Sequence, residues 1–168
     1  MGREVRMVPE NWEHPKSDKG NFIPLLDNYG NFEECDKEWM EGWRKWQLGL
    51  CQSYGSEMEW KPIKKEYLNT RYTDYVGDRP NPDDYMPNWP ESERTHLMMY
   101  ENTSEGTPIS PAFKSAEELA RWLADNKASA FADMTATYEQ WLSTCQSGSA
   151  ISMVISNEGM KSGVEALA

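Results

Sequence analysis

The sequence predicts an α+β domain of about three helices packed on a small, mainly antiparallel sheet, joined by long ordered loops rich in Pro and Gly. Three observations predict it. Trp39, Trp43, Trp46 and Leu50 recur at i, i+4, i+7 and i+11, one stripe of a 3.6-residue period. Ser115 stands three residues ahead of Glu118 at the head of a second periodic run, the spacing of a capping box. The apolar runs 95–101 (THLMMYE) and 150–156 (AISMVIS) have the length and content of strands. At 168 residues the chain is expected to fold as a single domain, 1–168.

In chain order, residues 3–9 carry Val5, Met7 and Val8 and read as a short edge strand closed by Pro9. Residues 11–31, rich in Asn, Asp, Gly and Pro, read as an extended wrap anchored by Phe22, Ile23, Leu25 and Leu26. The first helix is expected over 32–51. Gly42 and Gly49 weaken it, so packing of its Trp face must hold it, whether against the core or against a partner. After a loop over 53–62, residues 63–76 fit either a strand or a broken helix. The four prolines of 77–90 (GDRPNPDDYMPNWP) exclude a regular helix or central strand and imply a rigid, acidic, aromatic loop.

In the strand 95–101, Leu97 and Met99 share one face and His96, Met98 and Tyr100 the other. In the insert 101–111, Gly106 permits a positive φ, and Pro108 and Pro111 keep Thr107 and Ser110 extended. The insert either leads Phe113 into a staple beside Ser115 or presents hydroxyls and Glu105 for recognition. Leu119, Trp122 and Leu123 form the buried face of the second helix. A third helix is expected over 135–146, with Tyr138, Trp141, Leu142 and Cys145 at helical spacing and Gly148 as its stop.

Hydrophobic content is only 38%, with a mean hydropathy of -0.83, but 8 Trp, 8 Tyr and 10 Met supply large buried areas. A net charge of -11 disfavours tracking along a phosphate backbone and favours basic partners. No apolar run reaches the roughly 18 residues of a membrane span. The first residues, MGREVRMVPENW, lack the apolar stretch of a signal peptide, which points to the cytoplasm. Cys35, Cys51 and Cys145 read as reduced thiols rather than a disulfide framework.

No metal or cofactor is expected. The two His and three Cys show no ligand spacing. The Cys residues with His14 or His96, and Ser92 or Ser110 with His96, are candidate nucleophile and base combinations, and none carries a local signature. No nucleotide fingerprint is present. Arg71, Arg79 and Arg94 near Tyr72 and Tyr75 are a candidate small-nucleotide site, since arginine grips phosphate and an aromatic ring stacks a base. Their alternative is pairing with neighbouring acids at the surface.

Three segments, REVRMVPENWEHPK (3–16), DYMPNWPESERTHLMMYE (84–101) and EGTPISPAFKSAEELARWLADN (105–126), resemble a family of small uncharacterised proteins encoded by tailed bacteriophages and prophages. A weaker similarity runs through ASAFADMTATYEQWL (128–142) to MKSGVEA, and 31–75 diverges. Some relatives carry paired cysteines in that divergent region, a pairing this chain lacks. The resemblance implies an accessory protein acting in the cytoplasm of a bacterial host, and no mechanism. With the acidity, it points to a non-enzymatic protein that binds a host defence factor with a basic surface, of CRISPR-effector or restriction type. Tyr85, Trp89 and Tyr100 are the expected anchors, with Asp83, Asp84, Glu91, Glu93 and Glu105 as acidic contacts. The alternatives are a sponge for a small nucleotide immune signal, a phage-specific hydrolase, and a virion or assembly component.

Overall fold

The computed structural model describes residues 2–27, 31–52, 59–102, 106–157 and 159–167, with the backbone alone for 31 and 156. Along the chain run β1 (Arg3–Val8), α1 (Asn31–Gln47), β2 (Leu50–Gln52), β3 (Trp60–Pro62), α2 (Tyr72–Val76), β4 (His96–Glu101), β5 (Thr107–Pro108), α3 (Ala116–Asp125), α4 (Tyr138–Ser147), β6 (Ser149–Ala150), β7 (Met153–Ser156), β8 (Gly159–Ser162) and α5 (Gly163–Ala166). Short 3-10 turns lie at Lys65–Tyr67, Pro82–Asp84 and Glu91–Glu93. The protein is α+β: an antiparallel sheet of order β5-β4-β1-β6 accompanies the hairpins β2-β3 and β7-β8. The elements gather into two compact units, Met1–Asp27 with Pro87–Ala168, and Asn28–Met86.

In the first unit, β1 lies inside the sheet rather than at its edge. It pairs with β4 over its whole length, from Arg3 opposite Glu101 to Val8 opposite His96, and with β6 at Arg3 and Glu4. Pro9 falls one residue past the strand, where it removes no ladder bond. Val5, Leu97 and Met99 face the helices and join Leu119, Ala120, Leu123, Trp141, Cys145 and Val164 in the main core. The opposite face is covered too: Met98 and Tyr100 are buried there, along with Leu25 from the wrap. Both sides of β4 are therefore buried, which an alternating strand does not announce.

The helix termini explain their own boundaries. The Ser115 hydroxyl accepts the Glu118 N–H at 3.2 Å, but the Glu118 carboxylate takes the N–H of Lys114 instead of that of Ser115. The full reciprocal box is at α4: Thr137 Oγ1 accepts the Gln140 N–H, and Gln140 Oε1 accepts the Thr137 N–H at 2.9 Å. That box starts α4 at Tyr138 rather than at 135, and Gly148 in the left-handed region (φ 85°) ends it. The apolar run 150–156 is not one strand. Ala150 closes β6 on the main sheet, and Met153 to Ile155 pair with β8 in a separate hairpin.

In the second unit, α1 stops at Gln47, and Gly49 (φ 77°) turns the chain into β2. Residues 63–76 form a broken helix, a 3-10 turn followed by α2. The Trp stripe folds over α2: Tyr72 lies 5.2 Å from Trp39 and 5.7 Å from Trp46, and Tyr75 lies 4.7 Å from Trp46, ring centre to ring centre. Trp39 Nε1 donates to the Gly77 carbonyl at 3.1 Å, fixing the end of α2. Gly42 is required where it stands, because a Cβ there would overlap the Tyr72 hydroxyl.

Candidate functional site

The acidic stretch 81–93 is built from short turns. Asn81 caps the turn Pro82–Asp84, its side chain accepting the Asp83 N–H at 3.2 Å. Pro82 at the head of the turn fixes φ. Asp83 and Asp84 are exposed. Tyr85 is half-buried with its ring 5.4 Å from Phe32, and its hydroxyl is pushed above the usual tyrosine value, first by burial and then by the neighbouring Cys35 thiol. In the first unit, Pro90 leads the turn Glu91–Glu93, whose carboxylates are exposed. Trp89 is half-buried and edge-on to Trp12 at 4.7 Å. Among the described residues, none of Asp83, Asp84, Glu91 and Glu93 forms an ion pair.

Tyr100 does not belong with these anchors. It is fully buried; its hydroxyl receives the Trp12 indole N–H at 3.1 Å and lies 3.2 Å from His14 Nδ1, with the Arg6 guanidinium 4.5 Å over its ring. Burial pushes that hydroxyl up to about 12. Glu105 lies outside the described residues, as do Thr103 and Ser104. The described part of the insert is architectural. The Ser110 hydroxyl accepts the Met99 N–H at 2.9 Å, and β5 extends the sheet. Gly106 (φ 96°) has no room for a Cβ against the Leu25 carbonyl and the Arg6 guanidinium.

The candidate arginines do not form one cluster. Arg79 is bidentate to Asp36 at 2.6 and 2.8 Å, and holds that carboxyl below its usual range. Arg94 belongs to the first unit, and its buried Nε has no partner among the described residues. Arg71 is bidentate to Asp74 at 2.8 and 2.7 Å, on an exposed surface. Arg71 and Tyr72 do share a feature: both line an open groove of about 570 Å³ in the second unit, with Trp43, Trp46, Ile63 and Leu68 among the other walls. Tyr75 is not in the lining; it packs tilted against Trp46 and edge-on to Tyr67. Trp43, 41% exposed, belongs to the stripe read as facing either the core or a partner, whereas Leu68, 63% exposed, was not evident as a site residue from periodicity. The clustering of Lys and Arg around them in the sequence was the available signal.

Of the nucleophile and base candidates, Cys145, His14 and His96 are buried. Burial raises the Cys145 thiol to about 12, far from a reactive thiolate. His14 and His96 are buried and engaged, His96 with the Thr95 hydroxyl at 2.9 Å. Among the described residues, no three His, Cys, Asp or Glu side chains converge to hold a metal ion, and no helix is long and apolar enough to cross a membrane. Compared with protein-family models, curated proteins and solved structures, the chain finds a match in none of the three.

Proposed function

We propose that this is a phage accessory protein that acts by stoichiometric binding in the host cytoplasm. Its target is a host defence protein with a basic surface, of the kind that handles nucleic acid, and binding blocks that surface. The four exposed carboxylates Asp83, Asp84, Glu91 and Glu93 support this most directly, because they have no ion-pair partner among the described residues. An incoming cationic surface would meet them without first breaking an internal pair. Each pair of acids sits on a short proline-led turn, so little chain entropy is lost when a partner closes on it. Tyr85 and Trp89 are each fixed on one side by an aromatic neighbour and keep part of the ring accessible, as interface anchors do. The origin and the class of target rest on the resemblance of 3–16, 84–101 and 105–126 to phage proteins.

The test is affinity capture from bacterial lysate, comparing the natural chain with a variant carrying Lys at 83, 84, 91 and 93. The expected outcome is a co-purifying basic host protein that is lost with the variant and weakened by added salt. Equal capture by both chains, or capture of no host protein, would overturn the proposal.

A further inference from the structure

We propose that the groove of the second unit is a binding site for a small nucleotide, with Trp43 stacking the base and Arg71 meeting the phosphate. The site lies wholly within Asn28–Met86, and none of the proposed protein-binding acids is among its lining residues. Its volume of about 570 Å³ falls within the range of small-molecule pockets.

Charge is what selects the ligand. The chain as a whole is strongly acidic, at -11. The two stretches that supply the groove walls, 43–49 and 63–73, have the opposite bias. They contain Arg44, Lys45, Lys64, Lys65 and Arg71 against Glu66; Arg71 is the charged side chain that lines the groove, and its partner Asp74 follows directly after the second stretch. Lys64 pairs with Glu66, but this pair is exposed and so costs little to exchange for a phosphate. A local cationic field in an acidic protein admits a small anion, while long-range repulsion from the rest of the chain opposes a polyanion.

Shape selects the base. Trp46 and Tyr72 are locked by their contacts with Tyr75 and Trp39, so the inner wall is rigid. Trp43 stands partly open on the same wall and offers a π face, on which any base stacks without sequence preference. Thr70, Thr73 and Gln47 add hydroxyl and amide groups to the lining. Arg71 spends Nε and Nη2 on Asp74, which leaves the donors of Nη1 for a phosphate oxygen.

Calorimetric titration of the full chain with AMP, adenosine, inorganic phosphate and a ten-residue oligodeoxyadenylate tests this. AMP is expected to bind at one site, more tightly than adenosine or phosphate alone. Trp43→Ala and Arg71→Gln should each weaken AMP about tenfold, the loss of one stacked base or one charged contact. Asp74→Asn, by releasing Arg71, should tighten it, a gain that misfolding cannot imitate. No heat with AMP at millimolar concentration would overturn the site, as would binding unchanged in all three variants. Tighter binding of the oligonucleotide than of AMP would overturn the assignment to a small ligand.

Discussion

His14 is held by both ring nitrogens. Nε2 lies 2.6 Å from the Ile23 carbonyl, which only accepts, so Nε2 carries the proton. Nδ1 is then free to accept from the Tyr100 hydroxyl, which itself receives the Trp12 indole N–H. Burial lowers the His14 pKa most, the Ile23 carbonyl opposes this, and the Arg6 charge adds to the lowering. Trp12, Phe22 and Tyr100 also face the ring, and none of them supplies a carboxylate to favour the cation. The folded pKa therefore lies below the unfolded value of 6.5, and between the two the unfolded chain binds more protons. The stability His14 contributes is present above pH 6.5 and is lost as pH falls through that value toward the folded pKa. Urea midpoints at pH 7 and pH 5 should fall further for the natural chain than for His14→Gln, whose amide retains a donor toward Ile23. Equal falls would show that His14 does not titrate in this window. Tyr100 belongs to this network and not to a docking surface. Its strand alternates, but the residues that bind its hydroxyl, Trp12 and His14, come from the irregular wrap, whose path no periodicity encodes.

At the scale of elements, what could be read from the sequence was whatever local chemistry determines. The Ser115 cap, the Leu119 and Leu123 face and the Gly148 stop are set within one turn of chain, and all three stand where the spacing put them. Strand pairing is non-local, so the run 150–156 did not disclose that it divides between two sheets, nor residues 3–9 that they lie inside one. The Thr137 and Gln140 box was equally local, with the same spacing of three as Ser115 and Glu118. Thr137→Ala removes the hydroxyl that satisfies the Gln140 N–H and should cost about 1 kcal/mol in urea unfolding. Gly42 tests the other side of the argument. Gly→Ala in an exposed helix interior gains about 1 kcal/mol, but here the added methyl meets the Tyr72 hydroxyl, and Tyr72 is wedged between Trp39 and Trp46. Gly42→Ala should destabilise the natural chain and stabilise a Tyr72→Leu background. The same change of midpoint in both backgrounds would mean that the two residues are not coupled.

At the scale of the whole molecule, apolar burial is unevenly shared. Among the described residues, the buried apolar side chains of Asn28–Met86 are Trp46 and Met86; the others, including Val8, Met99, Leu119, Leu123, Trp141 and Val164, belong to the first unit. Hydrophobic stabilisation scales with area removed from water, at about 25 cal/mol per Å². The second unit relies instead on half-exposed aromatic contacts and on exposed pairs such as Arg71 with Asp74 and Arg79 with Asp36, which add little in water. It also holds Trp39, Trp43, Trp46 and Trp60, half of the tryptophans in the chain. Local opening is cheapest where buried apolar contacts are fewest. Amides of α1 and of the β2-β3 hairpin should therefore exchange with deuterium at lower urea than those of β1 and β4, and tryptophan fluorescence should change before the far-ultraviolet signal of the main sheet and helices. An AMP-occupied groove should close that gap, because a ligand held by the second unit stabilises the state that binds it in proportion to its occupancy. Coincident exchange and fluorescence transitions without ligand would mean that both units unfold as one cooperative body, and that the few buried side chains of Asn28–Met86 suffice to tie it to the fate of the first.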